Sequence, residues 1–388
     1  MISKNKFTKV SALIVIVLLL CFAAIVCVGC KPEDGSPDTN GNIKNVILFI
    51  GDGMGPQQVK YGELKKGSPL SFQKFEHQTV VDTNCSDGLG GLILTDSAAA
   101  ATALATGVLT TQGIVGYAPQ NTAKELKTIM DWGLEMGKRT GVISTESLTG
   151  ATPMSFSGHA VSRDYSDILM ASAAKSGVNF FAGDNTPYSS NYENNGYVVV
   201  NSLSQVSQMM NEDKILCNLS VKATNPDGNP AYTLFDELIV TALDYLSQDE
   251  DGFVLMAEGA HIDHGGHSNN IAYMVEELLA FDKAVEAAVN WAKERDDTVI
   301  LVTADHETGG LQLKEGITSG NMDDVDSSEK PIYYSWTTTG HTPVNVGLYV
   351  TGLDEINFES YSHFNNTKLK NTDIFNICKD LVVYGNLK

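Results

Sequence analysis

Basic charge is what this chain has least of. Its 388 residues carry 26 Lys and Arg against 47 Asp and Glu, a formal net charge of -21 at pH 7. No basic stripe offsets the deficit, which argues against nucleic acid or an anionic membrane surface as an electrostatic partner. Cysteine is scarce as well. Of 6 cysteines, Cys21, Cys27 and Cys30 lie in or at the end of an N-terminal apolar stretch, leaving Cys85, Cys217 and Cys378. That odd remainder allows at most one disulfide with one free thiol and offers no cysteine-rich structural zinc site. Internal repeats are absent. The acidic segment Asn321 to Glu329 lacks the spaced ligands and glycine of an EF-hand loop, so it reads as a solvated loop.

What the chain does have is a recurring local pattern, in which a short, β-branched apolar run adjoins acidic or histidine residues. Asn45 to Ile50 leads into Gly51-Asp-Gly-Met-Gly55, and Phe253 to Met256 leads into Glu258, His261, Asp263, His264 and His267. Thr298 to Thr303 leads into Asp305, His306 and Glu307, whereas His341 precedes its run, Val344 to Val350. Such runs read as buried strands. They alternate with helical stretches such as Ala123 to Met136 and Met274 to Arg295, which predicts a largely parallel sheet covered by helices, with ligand sites at the strand carboxyl ends. Of 8 histidines, His261, His264, His267, His306 and His341 fall in these segments, and His77, His159 and His363 do not. Carboxylate plus imidazole without thiolate is the donor mixture of catalytic zinc and of harder divalent ions. A further run, Gly91 to Ala103, places Ser97 between apolar residues and an alanine-rich helix former. A helix start there would stabilise an anion at Ser97 Oγ, but a serine hydroxyl needs a base or a metal to act as nucleophile, and Asp96 alone does not provide one.

The N-terminus combines Lys4, Lys6 and Lys9 with the apolar stretch Val10 to Val28 and closes on Val26-Cys-Val-Gly-Cys30. A lipoprotein-type signal peptide over residues 1–29 fits best, with Cys30 as the lipidated first residue; an uncleaved membrane anchor is the alternative. Residues 30–43 read as a flexible tether and residues 44–388 as a single catalytic domain with surface insertions. Both N-terminal readings predict an exported protein, periplasmic or at the cell surface, tethered to the membrane. Polar stretches from Gly183 to Asn195 and Asn225 to Pro230 read as surface loops.

Taken together, Gly51-Asp-Gly-Met-Gly55, Thr95-Asp-Ser-Ala-Ala-Ala-Ala-Thr102, Ala151-Thr-Pro153 with His159 and Ser162-Arg163, the segment Glu258 to His267, Ala304-Asp-His306 and Gly340-His-Thr342 resemble the alkaline phosphatase family. The resemblance implies a three-layer α/β sandwich, its largely parallel central sheet carrying helices on both faces. It implies hydrolysis of small-molecule phosphate monoesters through a phosphoserine at Ser97, with Arg163 gripping two phosphate oxygens. Asp263, His267 and His341 match the ligands of one zinc; Asp52, Asp305 and His306 match those of a second, which Ser97 approaches. Asp52, Thr152 and Glu258 match a third site, usually magnesium. One zinc would lower the pKa of Ser97 while the other stabilises the leaving alkoxide. His264 matches a position that helps to hold phosphate, while His261 has no metal role in the pattern and reads as structural or superficial. Two residues before Thr152, many relatives carry Asp or His where this chain has Gly150, so a Gly150→Asp substitution is expected to tighten magnesium. The family also tends to form homodimers.

Two other readings compete. A phosphodiesterase of the same superfamily usually has threonine as nucleophile and lacks the arginine, and a sulfatase needs a Cys/Ser-x-Pro-x-Arg context that Ser97-Ala-Ala-Ala does not supply. A noncatalytic phosphate- or metal-binding surface lipoprotein has no need of a nucleophile.

Overall fold

Val46 to Ile50 are hydrophobic at every position and buried at every position, which places a strand where both of its faces are covered. That strand, β1 (Asn45–Gly51), lies in a ten-stranded sheet with β2 (His77–Asp82), β3 (Arg139–Ser144), β4 (Phe180–Gly183), β5 (Val198–Val200), β6 (Ile215–Asn218), β7 (Phe253–Gly259), β8 (Thr298–Thr303), β9 (Val346–Thr351) and β10 (Leu369–Lys370). The spatial order is β10-β2-β9-β8-β1-β7-β3-β4-β6-β5. Every neighbouring pair is parallel except those of β9, which runs against both β8 and β2. This computed structural model describes residues 43–183, 188–227, 229, 232–314, 324–326, 331–361 and 368–388. The expected leader (1–29) and all of the expected tether (30–43) but its last residue, with Cys21, Cys27 and Cys30, lie outside the described residues, as does His363.

Helices cover the sheet in two groups. In one, Ile271–Ala292 packs on both Pro56–Lys66 and Phe235–Leu246. In the other, α1 (Ser97–Thr106) packs on α2 (Ala151–Ser155) and on the C-terminal helix Asn371–Tyr384. The α/β sandwich expected from the resemblance is therefore the observed architecture. Strand β9 explains why His341 precedes its run: in an antiparallel strand the amino end lies where its neighbours have their carboxyl ends.

Three readings are corrected. Ala123 to Met136 is not one helix: Asn121–Glu125 pairs with Tyr117–Ala118 as a strand, and the helix is Ile129–Glu135. Its start is fixed by Thr128, whose side chain accepts from the Asp131 N–H while Asp131 accepts from the Thr128 N–H. The stretch from Gly183 to Asn195 is not all surface loop, because Ser189–Glu193 is helical and Tyr192 is fully buried. Asp324–Val325 forms a strand against Tyr333–Ser335, and Asp326 accepts from Tyr61 and Lys65 rather than facing solvent as part of an acidic loop. Cys85, Cys217 and Cys378 are buried free thiols. Among the described residues, no helix is long and apolar enough to cross a membrane.

Candidate active site

Asp96 organises the serine. Its Oδ1 accepts from the Ala99 N–H at 3.0 Å, capping α1, so that Ser97 opens the helix. Its Oδ2 accepts from the Gly113 N–H at 3.0 Å and from Arg163 Nη1 at 3.4 Å. One carboxylate thus fixes both the helix that presents Ser97 and the guanidinium beside it. That Asp96 contact is the one hydrogen bond the guanidinium makes among the described residues, and the Arg163 side chain is 39% exposed.

Ser97 Oγ lies 3.2 Å from His306 Nε2. The same nitrogen stands 3.1 Å from Asp305 Oδ2 and 3.6 Å from Asp52 Oδ1, and neither carboxylate oxygen, although buried, has a well-formed hydrogen bond. The tautomer follows from the partners. Thr308 Oγ1 donates to Asp263 Oδ1, so toward His306 Nδ1, 3.3 Å away, it only accepts. His306 Nε2 then points a lone pair at two carboxylates and a hydroxyl. Burial, followed by the neighbouring His341, drives the His306 pKa well below its usual value, so the imidazole itself stays unprotonated.

A second cluster joins two imidazoles to a carboxylate. His267 Nδ1 faces the Thr339 carbonyl at 2.6 Å and His341 Nδ1 the Thr95 carbonyl at 3.0 Å, so both Nδ1 atoms donate. Their Nε2 atoms meet each other at 3.2 Å, with Asp263 Oδ2 3.2 Å from that of His267. Burial pushes the Asp263 pKa up, but hydrogen bonds from His267 and Thr308 and the nearby imidazoles outweigh it and hold it below the usual carboxylate range. Asp263 in turn raises the His267 pKa to about 9. Asp263 also falls in a group with Asp52 and His306 whose ligand atoms lie within 4.8 Å of one another, so it stands between the clusters.

Glu258, at the end of β7, accepts from Ser144 Oγ at 2.5 Å, and the neighbouring Thr152 Oγ1 makes no well-formed hydrogen bond. Burial, then neighbouring carboxylates, push the pKa values of Asp52 and Glu258 far up, and Asp305 up to about 7. Converging lone pairs, orphaned carboxylate oxygens and oxygen–nitrogen donor sets are satisfied together by divalent cations, so these residues fit the ions that the resemblance implies. Gly53 permits the crowding. Its φ is +70°, and a Cβ there would lie 2.9 Å from both Asp263 Cα and Thr308 Oγ1.

Residues 43–185 and 218–374 match the sequence profile of the family described as Alkaline phosphatase. The chain belongs to the alkaline phosphatase family. It is 31% identical over 339 residues to alkaline phosphatase 3 of Bacillus subtilis, a match covering 80% of this chain and 71% of that protein. It is 28% identical over 336 residues to the alkaline phosphatase of Escherichia coli, covering 68% and 70%. Among solved structures, the alkaline phosphatase of the Antarctic bacterium TAB5 superposes with a TM-score of 0.72 at 26% identity, covering 91% of this chain and all of that one. A cold-active alkaline phosphatase from Shewanella gives 0.74 at 26% identity, covering 87% and 99%. The chain is accordingly an enzyme of the phosphoric monoester hydrolase class, in a metal-dependent family.

The residues expected for the alkaline phosphatase site, namely Asp52, Ser97, Thr152, Arg163, Glu258, Asp263, His267, Asp305, His306 and His341, lie at strand ends, in the helices Ser97–Thr106, Ala151–Ser155 and His261–His267, and in loops. Three contributors were not foreseen. Asp96 orients Arg163, Thr308 joins the two histidine clusters, and Glu146 lies over Gly150, where an added Cβ would fall 2.4 Å from Glu146 Oε1. Glu307 turns away from the clusters to Gln58 and Thr342, anchoring the segment that carries His341.

Proposed function

We propose that this alkaline phosphatase is an exported, membrane-tethered hydrolase of phosphate monoesters that works through a phosphoserine at Ser97. In this reading Asp263, His267 and His341 hold one zinc, Asp52, Asp305 and His306 hold a second beside Ser97, and Asp52, Thr152 and Glu258 hold a third ion, magnesium. The observation that carries it is the Ser97 hydroxyl 3.2 Å from an unprotonated His306 nitrogen that also faces two orphaned carboxylate oxygens. When bound, the zinc ions supply Lewis acidity that favours the serine alkoxide and offsets charge on the leaving oxygen.

The chain's own residues do the rest. The phosphoryl group docks against the first N–H groups of α1 and the Arg163 fork, which binds two of its oxygens in one plane. Ser97 Oγ bonds to phosphorus as the ester oxygen departs with the bonding pair, and the serine proton ends on that oxygen as the alcohol leaves. Water then breaks the Oγ–P bond, returning a proton to Ser97 and releasing inorganic phosphate. Asp96 keeps the guanidinium where a second ester substituent would otherwise lie, so monoesters are preferred over diesters.

The test pairs metal analysis with turnover of a generic aryl phosphate. Ser97→Ala should lose roughly 10³-fold or more in kcat while keeping its bound metal near wild type. Unimpaired turnover would overturn the phosphoserine reading.

A further inference from the structure

Beside the residues assigned to catalysis, metal-binding chemistry gathers once more on the rim, around His261, which has no role in the reaction. The segment His261–His267 is helical, and His261 and His264 lie one turn apart on it, with ring centroids 5.0 Å apart. Glu146, from the loop after β3, brings Oε2 to 3.5 Å from His264 Nε2. One ligand atom from each of Glu146, His261 and His264 lies within 4.8 Å of the other two. Behind His261, Glu277 on the following helix stands 3.8 Å from Nδ1.

Among the described residues, nothing hydrogen-bonds the side chains of this trio. Among the described residues neither imidazole makes a side-chain hydrogen bond, and both carboxylate contacts are longer than one. The bare Gly150 makes the arrangement possible, since a Cβ there would meet Glu146 Oε1 at 2.4 Å. The His264 side chain is 47% exposed, which opens the cluster to solvent, whereas that of His261 is 16% exposed and sits against Glu277.

We propose that Glu146, His261 and His264 form a rim site for a zinc-class divalent cation, separate from the ions assigned to catalysis. Two imidazoles and one carboxylate, with water as a fourth ligand, make a zinc donor set; magnesium and calcium favour oxygen alone. Glu277 completes it as the carboxylate that orients a ligating imidazole.

The test is a calorimetric zinc titration of the enzyme already holding its resident metals, with magnesium titrated in parallel. The wild type should take up one further saturable zinc equivalent. In His261→Gln the midpoint should rise at least about tenfold, and in Glu277→Gln by a smaller factor, while aryl phosphate turnover before zinc addition stays unchanged in His261→Gln. Absence of an extra saturable site, equal affinity in both variants, or displacement of the zinc by equimolar magnesium would overturn the proposal. Should His261→Gln fail to fold, Glu277→Gln carries the comparison. Failure of the phosphoserine reading would appear in the Ser97→Ala turnover and leave this titration untouched.

Discussion

Arg163 is bound by one Asp96 contact and otherwise open, so its removal should cost substrate binding more than folding. Arg163→Ala is expected to raise KM and the inhibition constant of inorganic phosphate by roughly 10- to 100-fold, the worth of a charge-assisted bidentate clamp, with a smaller loss on diesters. Equal losses on both substrate classes would refute the account of monoester preference. Gly150 changes meaning once Glu146 is seen over it. The sequence expectation that Gly150→Asp tightens magnesium gives way, because its φ of -56° accepts a side chain but the carboxylate space is already filled. Magnesium titration of zinc-loaded protein should find Gly150→Asp no tighter than wild type, Glu146→Ala weaker by about tenfold, and the double variant restored. A tighter Gly150→Asp with a silent Glu146→Ala would reverse that assignment. The expected ligands were readable because each lies in a short motif at the edge of an apolar run. Asp96, Thr308 and Glu146 were not, because their partners Arg163, Asp263 and His264 are distant in sequence and only folding brings them near.

The alanine run that drew notice to Ser97 has a packing reason. All ten residues of α1 are buried, and small side chains let α2 and the C-terminal helix approach closely. Ala101, one turn beyond Ser97, is fully buried. Ala101→Leu should therefore destabilise by about 1–3 kcal/mol and lower kcat by displacing Ser97, as thermal unfolding and turnover would register. Wild-type stability and rate would show slack in the helix. The strand ends beside the ligand motifs were legible, since buried parallel strands read as continuous apolar runs. The 121–125 segment was not, because its hairpin pairing with Tyr117–Ala118 carries no hydrophobic pattern of its own. The reversed direction of β9 against its neighbours was equally hidden, although His341 standing ahead of its run was its trace.

At the scale of the molecule, a net charge of -21 coexists with an anionic substrate because the acidic residues at the centre are arranged for cations. Stripped of metal, that centre should respond to pH. Asp305 titrates near 7 in the folded chain and His267 near 9, both raised, so each contributes stability at low pH that is lost as pH rises through those values. His306 is shifted the other way, and its opposing contribution is complete above its ordinary 6.5. Between about pH 6.5 and 9 the Tm of metal-free protein should thus fall by several degrees, while the zinc-loaded protein stays nearly flat. A rising metal-free Tm over that window would contradict these shifts. Strand β9 has a consequence for biosynthesis. Among the described residues β2 hydrogen-bonds in the sheet only to β9 and β10, so a strand formed early in translation waits unpaired until residues 346–351 emerge. His341 arrives with the same late segment. A nascent chain stalled before it would present an adhesive strand to chaperones and lack His341, which makes competence wait on a segment translated late.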